Sequence, residues 1–140
     1  MRQGGYILLV LAASVMALQN IGCGGASREV VPVKGRLVFE DGTPLPAGTV
    51  VILDPMEGRV ESASGETAAD GSFQLRHVRG KAGAEVGKYR VRLGPPKNDP
   101  NTFSQQVPDS YLEGGELFLE VTPGMGEVTL KVKRRHAPPG

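Results

Sequence analysis

The chain has no tryptophan, 5% aromatic residues, one cysteine and two histidines among 140 residues. A lone cysteine cannot close an internal disulfide. His77 and His136 show no metal-ligand spacing such as H-x-x-x-H and read as exposed or rim histidines. No G-x-S-x-G elbow marks a nucleophile, so the sequence assigns no catalytic residue, no metal ligand and no cofactor. Charge of one sign is also missing. With 16 basic and 15 acidic residues there is no field to draw in nucleic acid. The longest apolar run, residues 7–18, has 12 residues and as a helix spans about 18 Å, short of a ~30 Å hydrocarbon core.

In surplus are glycine (20) and proline (11), both poor inside helices. With 39% hydrophobic residues and few rings, one core must be built mainly from Val and Leu. Apolar residues recur at every second position, the period of half-buried strands. Val31, Val33, Leu37 and Phe39 face one way, with Gly35 among them and Lys34, Arg36 and Glu40 opposite. Residues 49–53 (TVVIL) are apolar on both faces and predict a central, covered strand. A weak edge strand is expected near residues 59–63, and an alternating strand over residues 72–78 carries Phe73 and Leu75 inward. Residues 80–87 read as a Gly- and Ala-rich loop, and residues 88–93 as the best strand of all. Leu117, Leu119 and Val121, then Val128, Leu130 and Val132, predict a closing hairpin over residues 116–133. Asp41-Gly42 and Asp70-Gly71 read as tight turns, glycine supplying the positive φ. Residues 94–110 carry no strand or helix pattern, and residues 134–140 read as a frayed tail. The expected fold is all-β: a single antiparallel seven-stranded Greek-key sandwich.

The N-terminus reads as an address. One basic residue, Arg2, precedes the apolar run, the pattern of a secretory leader rather than an anchor. Ile21-Gly22-Cys23 at its end resembles a bacterial lipoprotein signal, although Asn20 stands where that family prefers Leu. The resemblance implies cleavage before Cys23 and a diacylglyceryl group on its sulfur. The alternative is ordinary cleavage after Ala17, with Val15 and Ala17 as the small residues and a periplasmic or secreted product. Without Arg2 the remainder carries 15 basic and 15 acidic residues. The expected organisation is a signal peptide over residues 1–22, a linker after lipidated Cys23 over 23–30, one domain over 31–135 and a flexible tail over 136–140.

A second resemblance rests on the order of several motifs. Val33-x-Gly35-x-Leu37, Asp41-Gly42-x-Pro44-Leu45, Val51-x-Leu53-x-Pro55, Thr67-x-x-Asp70-Gly71-x-Phe73-x-Leu75 and Gly87-x-Tyr89-x-Val91 resemble carboxypeptidase regulatory-like domains. Pro108-x-x-Tyr111 and the 116–133 hairpin are similar to the C-terminal half of short envelope lipoproteins carrying that domain. The resemblance implies a transthyretin-like sandwich without established enzymatic activity. Related hydroxyisourate hydrolases end in Tyr-Arg-Gly-Ser, absent from this C-terminus. Lys34 has neither the Glu nor the last-strand Asn or Asp that a pilin-type isopeptide bond needs. Tyr89 is expected to pack with its hydroxyl at the sandwich rim, and Tyr111 to bond backbone carbonyls.

These readings describe a non-catalytic, membrane-anchored envelope module that binds an envelope protein or surface polysaccharide. The alternative is a carbohydrate-binding module, for which three Tyr and no Trp are a poor supply. Partner contacts are expected at Phe103 in the long segment, at Phe118 facing away from Leu117 and Leu119, and at Arg90 and Arg92. Lys88, Arg90 and Arg92 form one basic stripe, and Lys131 and Lys133, extended by Arg134 and Arg135, another. Whether they merge, or pair with Glu116 and Glu120, depends on the strand order.

Overall fold

A computed structural model describes residues 29–136, so the expected signal peptide, Cys23 and the last four residues lie outside the described part. Chain order runs β1 (Val30–Val31), β2 (Lys34–Phe39), β3 (Val50–Pro55), β4 (Ala63–Glu66), β5 (Ser72–Gln74), β6 (Arg76–His77), β7 (Ala84–Glu85) and β8 (Gly87–Gly94). Two helices follow, α1 (Pro100–Gln106) and α2 (Ser110–Glu113), then β9 (Leu117–Val121) and β10 (Val128–Val132). The fold is all-β, as the period of two predicts, but the expected seven-stranded antiparallel sandwich is wrong. The strands form three sheets: β1-β7, β10-β2-β5 and β6-β4-β3-β8-β9. The transthyretin-like, carboxypeptidase regulatory-like reading falls with it, because β10 lies parallel to β2.

That parallel pair places Val128 beside Gly35 and Val132 beside Phe39. The expected closing hairpin is absent, since β9 pairs with β8 in the other sheet. Alternation fixes which face of a strand is buried, yet it says nothing about which strand lies alongside. Residues 72–78 are likewise two strands. β5 bonds to β2, and after Leu75 the chain joins β4 as β6. The edge strand expected near residues 59–63 is not there: residues 59–62 form no strand, and β4 begins at Ala63 as an internal strand between β3 and β6.

The larger sheets share one core. Leu37, Phe39 and Val132 come from one, Val51, Leu53, Tyr89, Val91 and Leu93 from the other, all buried in the same cluster. The long segment 94–110 is not structureless. Asp99 Oδ1 accepts the Thr102 N–H at 3.2 Å and Pro100 opens α1, an N-cap followed by a pre-set φ. α1 delivers Phe103 to the core and α2 delivers Tyr111. The Tyr111 hydroxyl accepts the Lys133 N–H at 2.9 Å, a backbone amide rather than the expected carbonyl.

Part of the expected tail is also tied down. Arg135 donates from its backbone N–H to Gln106 O at 2.8 Å and from its guanidinium to Asp109 Oδ1 at 2.7 Å. Arg134 meets Asp41 at 3.1 Å and lies 3.9 Å above the Phe39 ring, a cation–π contact.

Gly35 is required by close packing. A Cβ there would fall 2.4 Å from Val128 O and 2.7 Å from the Phe73 ring. Gly35→Ala is therefore expected to destabilise the fold by about 1–3 kcal/mol in denaturant unfolding. Gly115→Ala, with nothing within 4 Å of the added carbon, should stay near wild type.

Both Asp-Gly turns form, with Gly42 at φ 89° and Gly71 at φ 83°. Hydrogen bonds from Thr43 hold the Asp41 carboxyl below its ordinary 3.8, and those from Ser72 do the same for Asp70. The unfolded chain therefore binds the proton first as pH falls. Their stabilisation is complete above the ordinary value and is lost as pH drops through the lowered ones. Thermal melts at pH 6 down to 2.5 should show this decline, shallower in Asp70→Asn.

Candidate functional site

His77 is only 3% exposed, contrary to the rim position expected for it. Three elements converge around its ring. β6 pairs with β4, setting His77 beside Ala63 and close to Glu61 on the preceding connection. β7 is brought up by pairing with β1, Val30 opposite Glu85. That approach requires Gly83, whose φ is 112° and where a Cβ would lie 2.0 Å from Val31 O. Glu85 arrives 5% exposed, and its own carbonyl accepts the buried Tyr89 hydroxyl at 2.6 Å. That hydroxyl is in the interior rather than at a rim.

The hydrogen bonds assign the protons. His77 Nδ1 accepts the Arg79 backbone N–H at 3.2 Å, so the neutral ring carries its proton on Nε2. Nε2 donates to Glu85 Oε1 at 3.0 Å, while Glu85 Oε2 accepts the Glu61 N–H at 3.3 Å. Glu61 Oε1 takes the Arg79 guanidinium at 2.7 Å, a hydrogen bond that raises the arginine pKa further. Its other oxygen, Oε2, lies 3.3 Å from His77 Nε2 but is buried and accepts no hydrogen bond. The one ring proton is already spent on Glu85. One ligand atom each from Glu61, His77 and Glu85 lie within 4.8 Å of one another, close enough to share an ion. Beside them a pocket of about 410 Å³ is lined by Glu29, Val30, Arg79, Lys81 and the buried His77 and Glu85.

This trio escaped the sequence because its members lie apart in the chain, on β6, on β7 and on the connection before β4. Glu85 sits in what reads as a Gly- and Ala-rich loop, and no local period marks it for burial.

Of the expected contact residues, Phe103 is misplaced: it is 1% exposed, because α1 turns it into the core. Phe118 is 57% exposed and stands opposite Arg90 in the β8–β9 register. Arg92 is held by the Asp54 carboxylate, a hydrogen bond that raises its pKa. Lys88 faces Glu120 across the same pair, and Arg90 faces Asp54. The two basic stripes do not merge, since β8 and β10 belong to different sheets.

No protein-family model, curated protein or solved structure matches the chain. Among the described residues no helix is long and apolar enough to cross a membrane.

Glu85 accepts one buried and one part-buried hydrogen bond, so its removal orphans the Glu61 amide and leaves the His77 ring proton only the more distant Glu61 Oε2. Glu85→Ala is expected to cost about 2–4 kcal/mol in chemical unfolding. Glu120→Ala, on an exposed strand face, should stay within about 0.5 kcal/mol.

Proposed function

We propose that the chain is a lipid-anchored, non-catalytic envelope module that holds a protein partner on the solvent face of its five-stranded sheet. The observation carrying this reading is Phe118, the one aromatic ring exposed among the described residues. Around it lie Arg90, the exposed Met56 and a shallow recess of about 310 Å³ that Met56 and Phe118 help to line. Aromatic, Met and Arg side chains are the types enriched in protein–protein interfaces. An exposed aromatic flanked by charges is also a better anchor for a protein than for a sugar. Phe39, Phe73, Tyr89, Phe103 and Tyr111 are all buried, which leaves no set of coplanar rings for a saccharide to stack on.

The anchor in this reading is Cys23. Six residues lie between it and Val30, the first strand residue, and the seven steps reach at most about 25 Å when extended. Each buried CH₂ of an acyl chain contributes ~0.8 kcal/mol, and two chains hold stably. The domain is then kept within a short distance of the membrane surface.

Radiolabelled palmitate is expected to enter the wild type and not Cys23→Ala. Equal labelling, or none in either, sinks the anchor. A photo-reactive aromatic residue introduced at position 118 should give one discrete adduct in intact cells, and the same group at exposed Thr129 should not. Adducts at both positions, or at neither, argue against the Phe118 face.

A further inference from the structure

We propose that Glu61, His77 and Glu85 form a binding site for one divalent transition-metal ion of the zinc class. Two of the three ligand spacings are close to what such an ion needs, and all three lie within 4.8 Å. A tetrahedral ion with ligands at about 2.1 Å places them about 3.4 Å apart. His77 Nε2 lies 3.0 Å from Glu85 Oε1 and 3.3 Å from Glu61 Oε2. A second observation is Glu61 Oε2: the Glu61 side chain is 34% exposed and its other oxygen is held by Arg79, but this oxygen is buried, 3.3 Å from the histidine, with no hydrogen bond of its own. Such an atom keeps its desolvation cost until something positive meets it.

The surrounding bonds orient both carboxylates. Glu85 Oε2 is fixed by the Glu61 amide and Glu61 Oε1 by Arg79, which leaves Glu85 Oε1 and Glu61 Oε2 to converge. Partners of this kind hold metal ligands in place and tune them. Two carboxylates and one imidazole match a borderline ion such as Zn²⁺. They are too few oxygens for Ca²⁺, which takes six to eight. Three protein ligands leave one position of a four-coordinate ion to be filled from outside the trio.

Binding changes the ring. The ion takes the Nε2 lone pair, so the proton must leave Nε2, and the neutral imidazole then carries it on Nδ1. Arg79 gives up its N–H bond to Nδ1 in exchange. The Arg79 amide then loses its acceptor and faces the new Nδ1 proton, a cost that the bonds to the ion must exceed. The Arg79 guanidinium opposes a cation, but its side chain is 71% exposed and its charge is screened by solvent.

Titration of the full chain in detergent with zinc chloride, followed by calorimetry, tests the site. One Zn²⁺ per chain is expected, with affinity reduced roughly tenfold or more in Glu61→Gln, and little competition from a hundredfold excess of Ca²⁺. Glu61 is partly exposed, so this variant spares the fold, which circular dichroism checks. In the wild type, long-range ¹H–¹⁵N spectra should show the His77 proton move from Nε2 to Nδ1 when zinc is added. The proposal is overturned if the wild type binds no zinc or if Glu61→Gln binds it equally well. It is also overturned if binding is lost in Cys23→Ala or His136→Ala, if Ca²⁺ competes equally, or if the Nε2 proton stays in place at saturation.

Discussion

The backbone of Leu75 joins two sheets, and much of the molecule depends on how it does so. Its N–H donates to Val33 O at 3.0 Å, and its carbonyl accepts the Gly83 N–H at 2.7 Å. Before it, β5 lies on β2; after it, β6 lies on β4. The side chain is buried in the shared core, so the chain crosses between the sheets without leaving a gap. Two sheets that must share one core of Val and Leu need such crossings. Three others, through residues 40–49, 67–71 and 122–127, carry the chain between the same two sheets.

The same crossing builds the histidine cluster. Had residues 72–78 stayed in one sheet, His77 would sit over the β2 edge, away from Glu61. Passing to β4 places its ring beside Glu61, and the Gly83–Leu75 bond draws β7 in with Glu85. The cluster is therefore a product of the corner between sheets. Its cost is two carboxylates brought near one another, offset by the Arg79 charge, the ring proton and the Glu61 amide. Burial of such groups is favourable only where each finds a partner, and Glu61 Oε2 is the exception that draws attention to the site.

How much was legible depends on the range of the interaction. Strand positions, inward and outward faces and both Asp-Gly turns follow from period two and from glycine's tolerance of positive φ. The first helix has a local signal, Asp99-Pro100 as N-cap and first-turn proline. Without that helix Phe103 reads as a surface ring; with it, the residue turns inward. The exposure of Phe118 was readable, because it alternates against Leu117 and Leu119. The burial of His77 was not, because nothing local distinguishes a strand end that stops at a sheet edge from one that passes into a second sheet.

By itself the sequence determined the class of the fold, the composition of its core and the residues that alternate out of it. Those properties are set by neighbours along the chain, by the pleat of a strand and the size of Val and Leu. Only the tertiary structure decided that there are three sheets, that β10 runs parallel to β2, and that Glu61, His77 and Glu85 meet. Strand order is a contest between alternative backbone pairings of nearly equal hydrogen-bonding energy. It is settled by which arrangement lets every apolar face close on the same few large side chains.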